Sequence, residues 1–110
     1  MQTSYYNKYV GLKGISISQT TPPTFIGPKY LKLAPPWELI RRYKRDNDHD
    51  YFVREYKRAV LSKLDAKQVY EELGDDAVLL CWEKDPNICH RKIVADWFKE
   101  ELGIEVTEWY

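Results

Sequence analysis

An unbroken apolar run at residues 77–82, Ala-Val-Leu-Leu-Cys-Trp, limits the possible folds of this chain more than any other segment. A short run of strand-forming residues is typical of a strand that is covered on both faces, as in a parallel sheet between helices. It is also the longest apolar run in the chain, and it is far shorter than the roughly 20 residues that a helix needs to cross a bilayer. The run therefore predicts a buried strand of an α/β protein and no membrane partner.

Shorter patterns predict the elements around this run. Alternating polar and apolar residues predict strands at 3–6, 14–18 and 104–109. Helical spacing predicts one helix after Pro36, one capped by Asp48 or Asp50, one between Asp65 and Gly74, and one over 87–102. The last helix joins two strands, and such a unit favours a parallel pair. The sequence predicts a single α/β domain over residues 1–110, a small layered fold with a mostly parallel sheet of about four strands flanked by helices.

Residues 19–35 are predicted to form a long loop. Thr21-Pro22-Pro23-Thr24 and Gly27-Pro28 disfavour regular backbone there. The segment is longer than most connections in compact domains, which makes it a candidate functional loop or lid.

The formal charge is zero but unevenly distributed. Residues 1–45 carry eight basic residues against one acidic residue, a balance of +7, and the rest of the chain carries −7. Such asymmetry fits a nucleic-acid or phosphate surface built by the first half. It fits equally well two halves that neutralise each other within one domain.

Side chains that could bind a ligand or take part in catalysis are concentrated between residues 81 and 91. Cys81 ends the buried strand, and Cys89, His90 and Arg91 open the next helix. Ligands of open α/β sheets bind beyond the carboxyl ends of strands, and helix starts attract anions. On a helical wheel His90 and Arg91 share the apolar face, so both are predicted to point towards the core. A buried Arg91 should then meet a carboxylate, a carbonyl or an anionic ligand.

Each of these residues also has a structural interpretation. Arg91 could pair with an acidic side chain, His90 could be a hydrogen-bonded core residue, and Cys81 could be a small buried hydrophobe. Cys89 is the better candidate for a reactive thiol, because a helix start and Arg91 would lower its pKa. Two cysteines do not make a disulfide framework, and no secretory signal is visible. We therefore expect a cytoplasmic protein with reduced thiols.

The spacing does not favour a metal site. The C-x7-C-H pattern differs from the paired cysteines of usual zinc folds. Adjacent Cys89 and His90 would point about 100° apart on a helix, which makes shared coordination awkward. No metal and no cofactor are predicted.

The same segment resembles a known family. Leu79-Leu80-Cys81-Trp82-Glu83-Lys84-Asp85, followed by Cys89-His90-Arg91, resembles the signature of the domain of unknown function 488 family (DUF 488). Stretches 3–6, 25–35 and 60–65 are similar too. The resemblance implies a compact α/β fold and a short stand-alone member, and it transfers no catalytic roles. It implies that five positions are characteristic of the family: Cys81, Glu83, Cys89, His90 and Arg91.

The leading hypothesis is a site at residues 81–91 that binds, and could process, a phosphate-bearing nucleotide or nucleic-acid element. Arg91 and Cys81 would contact the ligand, and Lys29, Tyr30 and Lys32 would close over it. If the protein is an enzyme, Cys89 is the nucleophile, His90 the acid or base, and Glu83 a second proton carrier. Two alternatives stay open: a non-catalytic nucleic-acid-binding module that uses the basic half, and a thiol redox or metal role for the cysteines.

Overall fold

The computed structural model of the chain describes residues 1–85 and 89–109. Within these residues, four strands form one sheet: β1 (Gln2–Tyr5), β2 (Gly14–Ser16), β3 (Val78–Cys81) and β4 (Thr107–Glu108). The helices are α1 (Trp37–Asp46), α2 (His49–Ala59), α3 (Ala66–Leu73) and α4 (His90–Leu102). Short 3₁₀ turns occur at Leu31–Leu33 and Leu61–Lys63. The predicted small α/β fold with a parallel sheet is confirmed.

The apolar run forms β3, and all its residues are buried. The strand order is β2-β3-β1-β4, and every pairing is parallel. The two late strands are thus parallel, as predicted, but they are not neighbours. β1 lies between them, with Ser4 opposite Leu80 on one side and Gln2 opposite Thr107 on the other. The prediction of a directly paired β-α-β unit is therefore wrong, because the amino-terminal strand fills the place beside β3.

Two strands are shorter than their alternating patterns. The alternating pattern covers residues 104–109, but β4 pairs over only two residues. Because Thr107 lies opposite Gln2 in a parallel pair, the residues before Thr107 have almost no β1 backbone to pair with. β2 ends at Ser16, and the chain returns as an isolated parallel bridge between Ser16 and Lys29. The loop at 19–35 therefore covers part of the outer edge of β2.

The helices α2 and α3 begin at their predicted caps. The Asp48 carboxylate accepts a hydrogen bond from the Tyr51 N–H at 3.1 Å, which decides between the two predicted caps of α2. Asp65 caps α3 by accepting from the Lys67 N–H at 3.0 Å. Gly103 follows α4 with a φ of 67°, in the left-handed region that favours glycine. The predicted start of the last helix at Asn87 lies outside the described residues.

The wheel of α4 is confirmed. On the predicted inner face Ile93, Val94, Trp97 and Phe98 are buried and Leu102 is partly buried, whereas Lys92, Lys99 and Glu100 are exposed. Among the helices in the described part of the chain, none is long and apolar enough to cross a membrane.

Candidate functional site

A cavity of about 350 Å³ opens where β3 ends and α4 begins. Its size is within the usual range of small-molecule pockets, about 300–1,000 Å³. Cys81, Cys89 and His90 line one part of it. Much of the remainder is lined by aromatic residues, Trp37, Tyr43 and Trp82, and by polar residues, Ser18, Gln19, Lys44, Asn47 and Glu83.

The two cysteines are joined by a disulfide. This corrects the expectation of two reduced thiols, and in this oxidised state Cys89 is not a free nucleophile. α4 packs against β3, so the end of the strand and the start of the helix bring the two sulfur atoms together across eight positions of sequence. Cys89 is the N-cap residue of α4 and has an extended backbone, with φ −116° and ψ 147°. The wheel argument that separated Cys89 from His90 therefore does not apply, because Cys89 is not yet helical.

His90 is buried and has a defined tautomer. Its Nε2 lies 2.6 Å from the carbonyl oxygen of Ile17. Because a carbonyl only accepts, Nε2 carries the hydrogen, which in the neutral ring leaves a lone pair on Nδ1. Nδ1 lies 3.7 Å from the Sγ of Cys89. Burial lowers the pKa of His90 to about 4, and the Arg91 charge acts in the same direction against the Ile17 hydrogen bond. His90 is therefore neutral at physiological pH.

Arg91 is fully buried, and each of its five N–H groups has a protein acceptor. Nε and Nη2 donate to the two carboxylate oxygens of Glu108, at 3.1 and 2.8 Å. Nη1 donates to the Glu83 carbonyl and to the Cys81 Sγ, the latter at 3.1 Å, and Nη2 also donates to the Lys84 carbonyl at 3.1 Å. The hydrogen bonds of Arg91 thus link the start of α4 to β4 and to the loop after β3. Ligand binding by Arg91 stays a prediction, one that would require it to exchange a partner.

Two of the three predicted lid residues, Tyr30 and Lys32, have partners elsewhere in the fold. Lys29, Tyr30 and Lys32 are not among the residues that line the cavity. The Tyr30 hydroxyl donates to Glu72, and the Lys32 Nζ lies 3.3 Å from the same carboxylate. Burial and Glu72 raise the pKa of Tyr30. The long loop contributes to the cavity through its ends instead, at Gln19 and Pro35.

Ion pairs link the two oppositely charged halves. Lys13 pairs with Asp76 at 2.9 Å and Lys32 with Glu72 at 3.3 Å, so both pairs join the first 45 residues to the second half. Asp46 pairs with two residues of the basic cluster on α1, Arg42 and Arg45. Part of the charge asymmetry is therefore neutralised within the fold.

Sequence reasoning missed the contribution of α1 to the cavity. Trp37 and Tyr43 follow the helical period of a core-facing stripe, yet Trp37 is 47% exposed and both residues line the cavity. Lys44 and Asn47 come from the end of the same helix. Periodicity identifies the face of a helix, but it does not say whether that face meets the core or a cavity.

Comparisons with known proteins give a family match. The family model DUF488-N3a, described as the active DUF488-N3 subclade, matches residues 22–102. No curated protein and no solved structure matches the chain significantly. The matched segment contains α1 to α4, both cysteines, His90 and Arg91, and it covers well over half of the 110 residues. The resemblance seen in the sequence is confirmed, and the protein belongs to the DUF488 family.

Proposed function

We propose that the cavity binds a planar, phosphate-bearing ligand of the nucleotide type. The observation that carries this proposal is the set of aromatic side chains around the cavity: Trp37, Tyr43 and Trp82. Flat aromatic faces are well suited to stack on a nucleobase, with a contribution of about 1–3 kcal/mol per base. Large side chains left half exposed beside a cavity are typical of surfaces that a ligand covers.

Trp82 is held in place before any ligand binds. Its indole Nε1–H donates to the carbonyl oxygen of Thr20 at 3.1 Å, and its ring contacts Tyr6 edge-on at 5.1 Å between centroids. The side chain is nevertheless 50% exposed. A fixed aromatic face loses little conformational entropy on binding, which favours affinity.

Lys44 lines the cavity, whereas Arg91 does not, so Lys44 takes the phosphate-binding role that the sequence had suggested for Arg91. Within residues 1–85 and 89–109, it forms no ion pair with an acidic side chain. Its ammonium group is therefore available to a phosphate. The Nε2 of Gln19 is occupied by the Pro35 carbonyl at 3.0 Å, which leaves the amide oxygen of Gln19 as an acceptor for a base edge.

Calorimetric titration tests this proposal with nucleoside monophosphates, nucleosides and inorganic phosphate. The wild type should bind the monophosphates more tightly than either part alone. Trp37→Ala should weaken binding about 5- to 150-fold, as expected for loss of one stacking face, and Lys44→Ala should abolish the preference for the phosphorylated form. Lys67→Ala is the matched control, since Lys67 is exposed on α3 and does not line the cavity. Failure of the wild type to bind any nucleotide in both its oxidised and reduced forms would refute the proposal.

A second candidate function is thiol–disulfide exchange, which the Cys81–Cys89 bond in the cavity wall favours. The family description as an active subclade supports an enzymatic role. In the reduced protein, the Cys89 thiolate would attack a small disulfide, release one thiolate and form a mixed disulfide. The Cys81 thiolate would then attack the Cys89 sulfur, release the second thiolate and restore the internal bond. Two electrons pass to the substrate, and an external dithiol returns them to the protein.

An aromatic disulfide reagent that releases a coloured thiolate tests this candidate. The reduced wild type should release two equivalents rapidly, whereas Cys81→Ser should release one and retain the mixed disulfide. If the folded, reduced protein reacts only after denaturation, the exchange function is excluded.

A further inference from the structure

We propose that the reduced protein binds one Zn²⁺ ion through Cys81 Sγ, Cys89 Sγ and His90 Nδ1, and that the disulfide is the oxidised, metal-free form of the same site. This inference goes beyond the nucleotide proposal and does not depend on it. It rests on the convergence of two sulfur ligands and one imidazole ligand at the wall of the cavity.

The spacing of the ligand atoms fits a tetrahedral zinc site. The three atoms all lie within 4.8 Å of one another. Zinc–sulfur and zinc–nitrogen bonds of about 2.3 and 2.0 Å at tetrahedral angles put a sulfur and a nitrogen about 3.5 Å apart. The Sγ of Cys89 and the Nδ1 of His90 are 3.7 Å apart. The Cα atoms of the two cysteines are separated by 7.2 Å, so rotation of the side chains can part the sulfur atoms to make room for the ion.

His90 already has the orientation of a metal ligand. Histidine ligands usually donate their second ring N–H to a carbonyl or a carboxylate, which fixes the tautomer. The Nε2–H of His90 donates to the Ile17 carbonyl, and the free lone pair of Nδ1 is on the side of Cys89.

Donors and positive charge lie beside both sulfur atoms. Arg91 donates to Cys81 Sγ, and Cys89 lies at the amino end of α4, where backbone N–H groups and the helix dipole stabilise negative charge. Two thiolates and one neutral imidazole neutralise the charge of Zn²⁺, and Glu108 neutralises Arg91. The site would therefore bury no net charge.

Three protein ligands leave a fourth position, and the cavity is the open side. Sites with three protein ligands and one water are typical of catalytic rather than structural zinc. The ion would thus lie in the wall of the cavity, with one coordination position left for water.

Oxidation would release the metal. Hydrogen peroxide and two protons would convert the two thiolates into the disulfide and two water molecules, with one electron lost by each sulfur and the O–O bond broken. Zn²⁺ would then dissociate, because the two thiolates that neutralised its charge no longer exist. An external dithiol reverses this by donating two electrons to the disulfide, and Zn²⁺ then displaces the two thiol protons.

Titration of the reduced, folded protein with Co²⁺, followed by displacement with Zn²⁺, tests the proposal without any nucleotide. The reduced wild type should bind one equivalent of Co²⁺ with strong thiolate-to-cobalt absorption, and the peroxide-oxidised wild type should bind none. Cys89→Ser and His90→Gln should each lower the affinity more than about 100-fold, since second-sphere changes alone cost 10- to 100-fold. His49→Gln is the matched control, because it removes the other histidine and should bind as the wild type does.

The cysteine variants could unfold, so a second measurement uses the wild type alone. One equivalent of Zn²⁺ should protect both Cys81 and Cys89 from alkylation, as read by mass spectrometry. Absence of thiolate-to-cobalt absorption in the folded, reduced wild type, or alkylation that Zn²⁺ does not slow, would overturn the proposal. Either result would leave the nucleotide proposal standing.

Discussion

The buried ion pair between Arg91 and Glu108 gives a sharp test of how this fold is held together. Replacing Glu108 with Gln keeps the shape of the side chain and removes its charge. The remaining amide oxygen can still accept from the Arg91 Nε and from the Thr3 hydroxyl, which now donates to Glu108 Oε1 at 2.6 Å. The new amide NH₂ would face the Nη2 of Arg91, where a carboxylate oxygen accepts at 2.8 Å. Two donors then meet, and the buried charge of Arg91 loses its counter-ion.

The size of the effect follows from burial. Removal of one partner from a buried pair costs about 3–5 kcal/mol, because the other charge stays buried and uncompensated. Arg91 is 0% exposed, but Glu108 is 16% exposed, so water reaches part of the carboxylate. Since Gln also keeps one acceptor, we expect Glu108→Gln to lower the free energy of unfolding by about 2–3 kcal/mol. That is a large share of the roughly 5–15 kcal/mol that stabilises a typical domain.

Urea unfolding followed by tryptophan fluorescence measures this change, with the disulfide intact in both proteins. At an m value of about 1–3 kcal/mol/M, the midpoint should fall by about 0.7–3 M. Glu105→Gln is the matched control: Glu105 pairs with Lys99 on the surface, with the two side chains 68% and 63% exposed, and solvent screens that pair. Equal midpoints for Glu108→Gln and Glu105→Gln would refute the argument that burial increases the contribution of the Arg91–Glu108 pair to the free energy of unfolding.

Three smaller changes test other parts of the structure. Because the folded pKa of His90, about 4, is below its unfolded value of 6.5, the unfolded chain binds an extra proton between these values, and stability falls by up to about 3 kcal/mol as the pH drops through this window. His90→Gln should remove this part of the pH dependence in urea titrations at about pH 4.5 and pH 7; an unchanged slope would contradict it. Tyr56→Phe should cost about 1–3 kcal/mol in the same assay, because the buried Leu33 carbonyl loses its hydroxyl donor. Asp48→Ala should cost about 1 kcal/mol and Asp50→Ala clearly less, since Asp48 provides the cap of α2; equal losses would reject that assignment.

The inward direction of His90 and Arg91 could be read from the sequence. Both lie on the helical face that carries the apolar residues of α4, and the 3.6-residue period alone decides which residues share a face. The burial of β3 was predictable for a similar reason, because an uninterrupted apolar run leaves no face for water. Capping depends on contacts within one turn, so local sequence was sufficient to identify Asp65 as a cap and to narrow the cap of α2 to Asp48 or Asp50.

The partners of these residues could not be read in the same way. Arg91 reaches a carboxylate on β4, and His90 reaches a carbonyl beyond β2, at residue 17. Both contacts join distant parts of the chain. Nothing in the local pattern near Arg91 distinguishes an ion pair within the fold from a contact with a ligand.

The amino-acid pattern alone was sufficient for the class of fold and for the main helices and strands, because hydrophobic periodicity and capping act over a few residues. The strand order, the disulfide between Cys81 and Cys89, the closed Arg91–Glu108 pair and the aromatic cavity wall from α1 came only with the tertiary structure. These features depend on which elements pack side by side, and that choice is made by the free energy of the whole core rather than by any one segment.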